Sequence, residues 1–394
     1  MKKFSQDQKN LDDGVKMYDW MRWLSKGIGV WPLAPNDYLF ALSYLYFTSV
    51  MASALIDLYI SLGNLRKVID NLSESLALMH LYTSTLMLRV HCGKLRYVLT
   101  ELLKDYKINA FENSTELKIF LAHIKEGKAF AKTVLYFIAV TEVIWYILPV
   151  VIISSISVGE NDTIPFILPY RFYNIYPISS TRNYILTYIW EGIYFFINSC
   201  SHMTSEGFLI LFVYQLSGRF AILAERINDL KNNPDMYKSQ LKAIVKEHNR
   251  LLKIGDYIRD AYATALFAYL INGTILMSMI GYQILLSFMT APDSNLTVYF
   301  LFIFTMYFII TAFCIVSEQL TEANNKVKEA FWNCEWYQMD RECIYDITYC
   351  ISRSQKPLAL QAGKFLYFSN NTLTDVTKTS LGYLSILRNF LIVN

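Results

Sequence analysis

The stretch VYFLFIFTMYFIITAFCIVSEQLT, residues 298–321, carries a single charged side chain, Glu318. A run of this length exceeds the ~20 residues that an α-helix needs to cross a bilayer. Six further segments of similar character lie at 38–60, 67–90, 130–155, 187–215, 262–290 and 365–391. The chain is 54% apolar and 18% charged, whereas soluble domains are about 25% charged. The sequence therefore predicts an all-α membrane protein with seven transmembrane helices.

Lysine and arginine concentrate in alternate gaps between these segments. Twenty-eight of the 36 fall within 2–26, 94–132, 219–259 and 326–356. Basic loops stay in the cytoplasm, so the N-terminus is predicted inside and seven crossings place the C-terminus outside. A G-protein-coupled receptor has the opposite orientation. The net charge of +3 reflects this topology and does not indicate nucleic-acid binding.

The chain is predicted to form one domain, because no gap is long, proline-rich or low in complexity. Residues 1–37 form a cytoplasmic N-terminal segment and 38–321 hold spans one to six. Residues 322–356 are expected to continue the sixth span as one amphipathic cytoplasmic helix, and 357–394 contain the last span. Helical periodicity at 111–137 and 220–267 predicts that other membrane helices also extend into this cytoplasmic layer.

The predicted outside gap at 154–183 holds three prolines and several aromatic residues, which favours a structured lid over a helix. Glycosylation sequons occur in the outside gaps at Asn161 and Asn295. Asp70, Glu74 and His80 interrupt the second span. Such residues either face the interior of the bundle or lie near the outer end and reach water, and the sequence leaves both open.

No motif for catalysis or nucleotide binding is present, so an enzyme is not expected: Walker A, GxSxG, HExxH and CxxC are all missing. The histidines are His80, His91, His123, His202 and His248. Their scattered spacing along the chain predicts interfacial or packed side chains, and no metal or cofactor. The six cysteines are predicted to be small buried thiols.

The last span carries a polar stripe. Read as a helix, it places Asp375, Thr379, Gly382, Ile386 and Phe390 within about a 100° sector. A polar stripe in a membrane must face protein or water. Copies of this helix around an axis would form a narrow aqueous path, with rings of Ile386 and Phe390 as a gate that closes by dewetting. Packing against helices of the same chain is an equal alternative.

The region from Ala330 to Phe390 closely resembles the signature of insect odorant receptors. The matching pieces are Trp336-Tyr337, the run SRSQKPL ending at Leu358, AGKF at 362–365, and Ser369 with the helix that follows. GVWPL at 29–33 is also typical of that family near its start.

The resemblance implies a ligand-gated, non-selective cation channel in the plasma membrane of olfactory neuron dendrites. It implies a tetramer whose last helices line one pore, with Asn389 at the family's polar ring. The cytoplasmic layer would anchor the tetramer, with the assembly residues Trp332, Trp336, Tyr337 and Pro357. Most members need the co-receptor Orco. Lys378 and Arg388 would oppose cation flow in four copies, so we expect a minority tuning subunit in a heterotetramer with Orco.

The resemblance also implies an odorant pocket in the outer half of the bundle, for a small volatile of ester or terpenoid size. Carried over by depth, the pocket residues are Ala77, His80, Ile138, Thr141, Trp145, Tyr188, Tyr194, Tyr299, Phe302, Ile303 and Met306. An apolar, aromatic lining with few hydroxyls binds such a molecule mainly by burial and shape.

Three other classes compete with this interpretation. A gustatory-type homotetrameric channel usually ends in a TYxxxxxQF-like motif, from which GYLSILRNF differs at Gly382, Arg388 and Asn389. A G-protein-coupled receptor conflicts with the predicted inside N-terminus. A secondary transporter would show internal repeats or broken helices, and the sequence shows neither.

Overall fold

The computed structural model describes residues 2–155, 166–174, 176–232, 237–289, 296–355 and 358–393, and these ranges hold ten α-helices and one β-hairpin. The helices are α1 (Lys2–Gly27), α2 (Asp37–Ile60), α3 (Leu65–Val90), α4 (Cys92–Lys104), α5 (Ser114–Ser155), α6 (Thr181–Asn228), α7 (Tyr237–Met289), α8 (Leu296–Asn333), α9 (Arg341–Ser354) and α10 (Asn370–Val393). The strands β1 (Gln361–Ala362) and β2 (Leu366–Tyr367) pair antiparallel before α10.

Each of the seven predicted spans contains a helix, but the seventh begins at Asn370 and not at 365, because 366–367 form β2. The seven helices differ in apolar character. Five helices of the described chain are long and apolar enough to cross a membrane: α2, α5, α6, α7 and α8. The other two predicted spans form α3, with 26 residues, and α10, with 24. At 1.5 Å per residue both exceed the ~30 Å of a hydrocarbon core. Their charged side chains, rather than their length, set them apart.

Several membrane helices continue well beyond a bilayer, as the periodicity predicted. Helix α5 has 42 residues, α6 has 48 and α7 has 53. The start of α5 is fixed by a cap, since the Asn113 Oδ1 atom accepts from the backbone N–H of Glu116 at 2.8 Å. The parts of α5 to α8 outside the predicted spans pack with α1, α4 and α9, and we call this region the extramembrane layer.

The prediction of one helix through 322–356 is wrong. Helix α8 ends at Asn333, Glu335 adopts a left-handed conformation with φ of 51°, and a short 3-10 turn at Trp336–Gln338 precedes α9. The reason is burial: α9 folds back on α8 and buries Cys343 and Ile347. A straight continuation would carry that apolar face away from the core.

Helix α6 forms the centre of the bundle. Every residue from Thr204 to Phe220 is buried, and the helix contacts α1, α3, α4, α5, α7 and α8. All six cysteines are buried, as predicted. A charged side chain on a helix enclosed on all sides, such as Arg219, is costly unless it is paired.

A buried ion cluster meets this requirement in the extramembrane layer. The Arg219 guanidinium on α6 lies 2.7 Å from Glu247 on α7 and 3.6 Å from Asp105, just after α4. Arg250 lies 2.8 Å from Glu247 and 3.0 Å from Asp105. Burial alone would raise the pKa of Glu247, but Arg250 and Arg219 outweigh burial and lower that pKa to about 2. Glu247 is therefore ionised at neutral pH and joins the two arginines.

We expect Arg219→Met to destabilise the protein by about 3–5 kcal/mol, because it leaves two buried carboxylates with one arginine. The measurement is thermal unfolding of the purified protein in lipid nanodiscs. Lys326→Met is the matched control, since Lys326 forms an exposed pair with Glu322 and such pairs contribute roughly 0–1 kcal/mol. Equal melting temperatures for the two variants would contradict the proposed contribution of the ion cluster to stability.

Candidate ligand cavity

A cavity of about 270 Å³ lies between α3, α5, α6, α7 and α8, beneath the segment 166–171. Its walls are largely apolar, with Leu81, Ile138, Leu276, Phe302 and Ile309 among them. Ligand cavities usually measure about 300–1,000 Å³, so this one is small. It suits a compact molecule held chiefly by shape and apolar contact.

Most of the predicted pocket residues line this cavity, and three do not. Those that line it are Ala77, His80, Ile138, Thr141, Trp145, Tyr299, Phe302 and Met306. Ile303 instead packs beside it, against the cluster of Leu276, Ile280 and Ile284. Contact with a ligand stays a prediction for all eleven.

The two tyrosines predicted on α6 point elsewhere. Tyr188 and Tyr146 on α5 form a reciprocal pair, in which each hydroxyl donates to the other residue's carbonyl oxygen. Tyr194 is fully buried in a separate aromatic cluster with Phe47 and Tyr170. The error is one of rotation, because α6 presents Asn198 and His202 to the cavity.

Several lining residues were missed by the sequence analysis, among them Glu142, Asn198, His202, Tyr269 and Asn272. The rule that polar residues in a span face the bundle interior would have singled out Glu142, Asn198 and His202.

The segment above the cavity is a lid whose backbone carbonyl oxygens accept hydrogen bonds from side chains of the neighbouring helices. Among the described residues of the gap, 166–174 and 176–180 contain no helix, which agrees with the prediction. The indole Nε1 of Trp145 donates to the carbonyl oxygen of Pro169 at 3.0 Å. The hydroxyl of Tyr184 donates to the carbonyl oxygen of Ile167 at 2.9 Å. Ile167 and Pro169, in the first part of the lid, are thus tied to α6 and α5, two of the helices that surround the cavity.

Acidic residues of α3 complete the attachment of the lid. The Arg171 guanidinium lies 2.8 Å from Asp70, and the Arg171 backbone N–H donates to Glu74 at 2.7 Å. The Gln283 amide on α7 donates to the other oxygen of Asp70 at 2.8 Å. The two acidic residues that interrupt the second span therefore hold the lid at the cavity mouth.

We expect Arg171→Met to loosen the lid, because it removes the ion pair to Asp70 and leaves the backbone bond to Glu74 intact. A half-exposed pair contributes roughly 0–1 kcal/mol, so amide hydrogen exchange in 166–174 should rise up to about fivefold. Arg182→Met, at an exposed position on the first turn of α6, is the matched control. Unchanged exchange in the Arg171 variant would show that the backbone bonds alone hold the lid.

The cavity is polar where α3 meets α6. The His202 Nδ1 atom lies 2.8 Å from an oxygen of Glu142. The His80 ring stands edge to face on Tyr269, with centroids 4.4 Å apart. Within the described chain, His80, His202 and Glu206 are the one set of three His, Cys, Asp or Glu residues whose ligand atoms all lie within 4.8 Å of one another. Chain spacing could not show this set, because His80 and His202 come from different helices.

The predicted pore stripe lies on the surface of the single chain. Asp375, Thr379, Gly382 and Ile386 are all exposed, so the alternative of packing within the chain is wrong for these four. Helix α10 instead uses its opposite face, where Val376 and Ser380 are buried. The structure describes the backbone, and not the side chains, of Asn389 and Phe390.

The other predicted sites lie on the surface or outside the described residues. Trp332 and Tyr337 are exposed and Trp336 is half-buried. Pro357 and the sequon residues Asn161 and Asn295 lie outside the described ranges.

The fold is that of an all-helical, seven-span membrane protein enclosing a small apolar cavity. Residues 64–381 match the family model described as 7tm Odorant receptor, and the chain belongs to that family, which is one of receptors and not of enzymes. Odorant receptor 13a of Drosophila melanogaster is 26% identical over 272 residues, which cover 62% of each chain. The odorant receptor coreceptor of Ooceraea biroi is 24% identical over 158 residues, 40% of this chain and 32% of that one.

A solved structure has the same fold. The insect olfactory receptor OR5 from Machilis hrabei, in complex with eugenol, superimposes with a TM-score of 0.82 and covers 97% of this chain and 100% of its own. Its sequence identity is 12%, so this likeness establishes the fold alone.

Proposed function

We propose that this chain is the odorant-binding subunit of a ligand-gated, non-selective cation channel, assembled with Orco as a heterotetramer. The observation that carries the proposal is the small apolar cavity, closed by a lid, inside a member of the odorant receptor family. Burial of a compact volatile in such a cavity supplies the binding free energy. The proposed location is the plasma membrane of olfactory neuron dendrites.

Helix α7 connects the cavity to the proposed pore helix. One face of α7 lines the cavity with Asn272 and Leu276. Another face of α7 meets α10. There the Ser278 hydroxyl donates to the carbonyl oxygen of Ser380 at 3.0 Å. The Ser380 hydroxyl in turn donates to the carbonyl oxygen of Thr274 at 3.1 Å. A ligand that prefers one position of α7 therefore biases the position of α10, as gating requires.

The exposed face of α10 supports a pore between subunits. Asp375 and Thr379 lie on that face, and a carboxylate or hydroxyl in contact with lipid is expensive. Neighbouring copies around an axis would supply water and protein partners instead. Lys378 and Arg388 are exposed on the same helix. Four such pairs of positive charges would repel cations, which supports a mixed tetramer in which Orco supplies most of the pore helices.

The extramembrane layer supports the role of anchor. It presents exposed aromatic side chains at Trp332, Tyr337, Tyr345 and Tyr349. Aromatic residues are enriched where subunits meet, so this surface suits contact with other subunits.

The test of the proposed function is whole-cell current in cells that express this chain alone, Orco alone, or both, during application of a panel of volatiles. We expect an odour-evoked cation current in cells that express both chains that is absent from cells that express Orco alone. This current should need no added nucleotide or G protein. Current from this chain alone would contradict the argument from Lys378 and Arg388 and would favour the gustatory-type homotetramer. Loss of the response on blocking G-protein signalling would overturn the channel proposal.

We expect Ala77→Phe to raise the odorant concentration for half-maximal current at least tenfold, because the ring would occupy a cavity of about 270 Å³. The measurement is the dose–response curve in the co-expressing cells, with surface labelling to confirm delivery. Ala52→Phe, at an exposed position of α2, is the matched control and should leave the curve unchanged. Equal curves for both variants would place the ligand elsewhere.

A further inference from the structure

Three potential metal ligands converge where α3 meets α6. His202 and Glu206 are one helical turn apart on α6 and share a face, while His80 projects from α3. Exposure is 7% for His80 and 2% for Glu206. The ligand atoms of the three side chains lie within 4.8 Å of one another. This set comes from two helices and is enclosed by the bundle.

Three of the four imidazole nitrogens of this set are unpartnered within the part of the chain that the structure describes. Among the described residues, neither Nδ1 nor Nε2 of His80 has a hydrogen-bond partner, and Nε2 of His202 has none. Buried polar groups in proteins are nearly always paired, because an unpaired one costs the full desolvation penalty. His80 is more than nine-tenths buried, so water at the protein surface does not satisfy it. These nitrogens are therefore free to bind a ligand.

Glu142 on α5 prepares His202 to bind a cation. Its oxygen lies 2.8 Å from His202 Nδ1, so the proton of the neutral ring belongs on Nδ1 and the lone pair on Nε2. A histidine bound to a metal almost always donates its other ring N–H to a carboxylate or carbonyl in this way, which fixes the ring and increases its basicity. The unpartnered Nε2 is the atom left free for a metal.

We propose that His80, His202 and Glu206 bind a divalent transition-metal ion, with Zn²⁺ as the best fit, and that Glu142 positions His202. Two histidines and one glutamate are a common ligand set for zinc with one open coordination position. Binding sites for Mg²⁺ or Ca²⁺ use oxygen ligands, so the two imidazoles favour zinc. Ligands of tetrahedral Zn²⁺ lie about 3.4 Å apart, given Zn–N distances of ~2.05 Å. Metal binding would therefore require side-chain rotations that bring these ligand atoms, now within 4.8 Å of one another, closer together.

His80 and His202 line the cavity, and Glu206 is not among its lining residues, so we infer that the open position is on the cavity side. An odorant with a nitrogen or sulfur lone pair could occupy this position and so be selected over a hydrocarbon of equal shape. This part of the inference rests on the proposed function. The metal site itself depends only on the four side chains.

Direct metal binding tests the proposal. The full chain is purified in nanodiscs, stripped of metal with a chelator and titrated with Zn²⁺ or Co²⁺. Where the chain is stable only together with Orco, the complex of the two is used. We expect one additional Zn²⁺ per copy of this chain, by elemental analysis, relative to Orco alone. Bound Co²⁺ should show the visible absorption of a tetrahedral site. Affinity should fall at least tenfold in His80→Gln, His202→Gln and Glu206→Gln, and roughly 10–100-fold in Glu142→Gln, as for other residues that support a ligand.

The matched control is His248→Gln, which replaces another buried histidine, on α7 in the extramembrane layer, and should bind metal as the wild type does. Size-exclusion profiles identify any variant that does not fold. The Co²⁺ spectrum of the wild-type protein tests the site even if every variant fails to fold. An absence of metal in folded wild-type protein, or equal affinity in the His80 and His202 variants, would overturn the site. These measurements need no current, so failure of the metal site and failure of the channel function are separate results.

Discussion

The structure depends on the pairing of charges that its central helix buries. Arg219 lies on the enclosed part of α6, and its cost is offset only because Glu247 and Asp105 come within ion-pair distance. Arg250 binds the same two carboxylates and completes the cluster. Because α6 and α7 run without a break from this cluster toward the lid, the cluster also fixes the register in which the two helices meet at the cavity.

The cavity and the last helix share one wall, and that wall is α7. A helix is stiff, so a displacement at Leu276 on the cavity face is felt at Ser278 on the face toward α10. Two hydroxyl hydrogen bonds, from Ser278 to Ser380 and from Ser380 to Thr274, join the two helices at this point. The lid joins the same system, because Gln283 of α7 binds the Asp70 that holds Arg171. Cavity, lid and last helix are therefore mechanically connected.

Paired and unpaired polar groups occur at different places in the bundle. The charged side chains of the lid and of the ion cluster form ion pairs that stabilise the fold. Among the described residues, both ring nitrogens of His80 and the Nε2 atom of His202 lack hydrogen-bond partners, and the α10 stripe from Asp375 to Ile386 is exposed. In a membrane an unpaired polar group is expensive, and such positions are where function is expected. They are the places where a ligand, an ion or a second subunit completes the structure.

The sequence by itself determined the seven apolar membrane segments, the extensions at 111–137 and 220–267 and the resemblance to a receptor family, because these follow from composition, periodicity and short motifs. It did not determine which face of each helix meets which neighbour. Tyr194 and His202 lie on the same helix, yet only His202 reaches the cavity. The break at Glu335, the convergence of His80 with Glu206 and the exposure of the α10 stripe were likewise decided by tertiary packing. Periodicity defines a face only relative to its own helix, whereas packing between segments far apart in the chain decides what that face contacts.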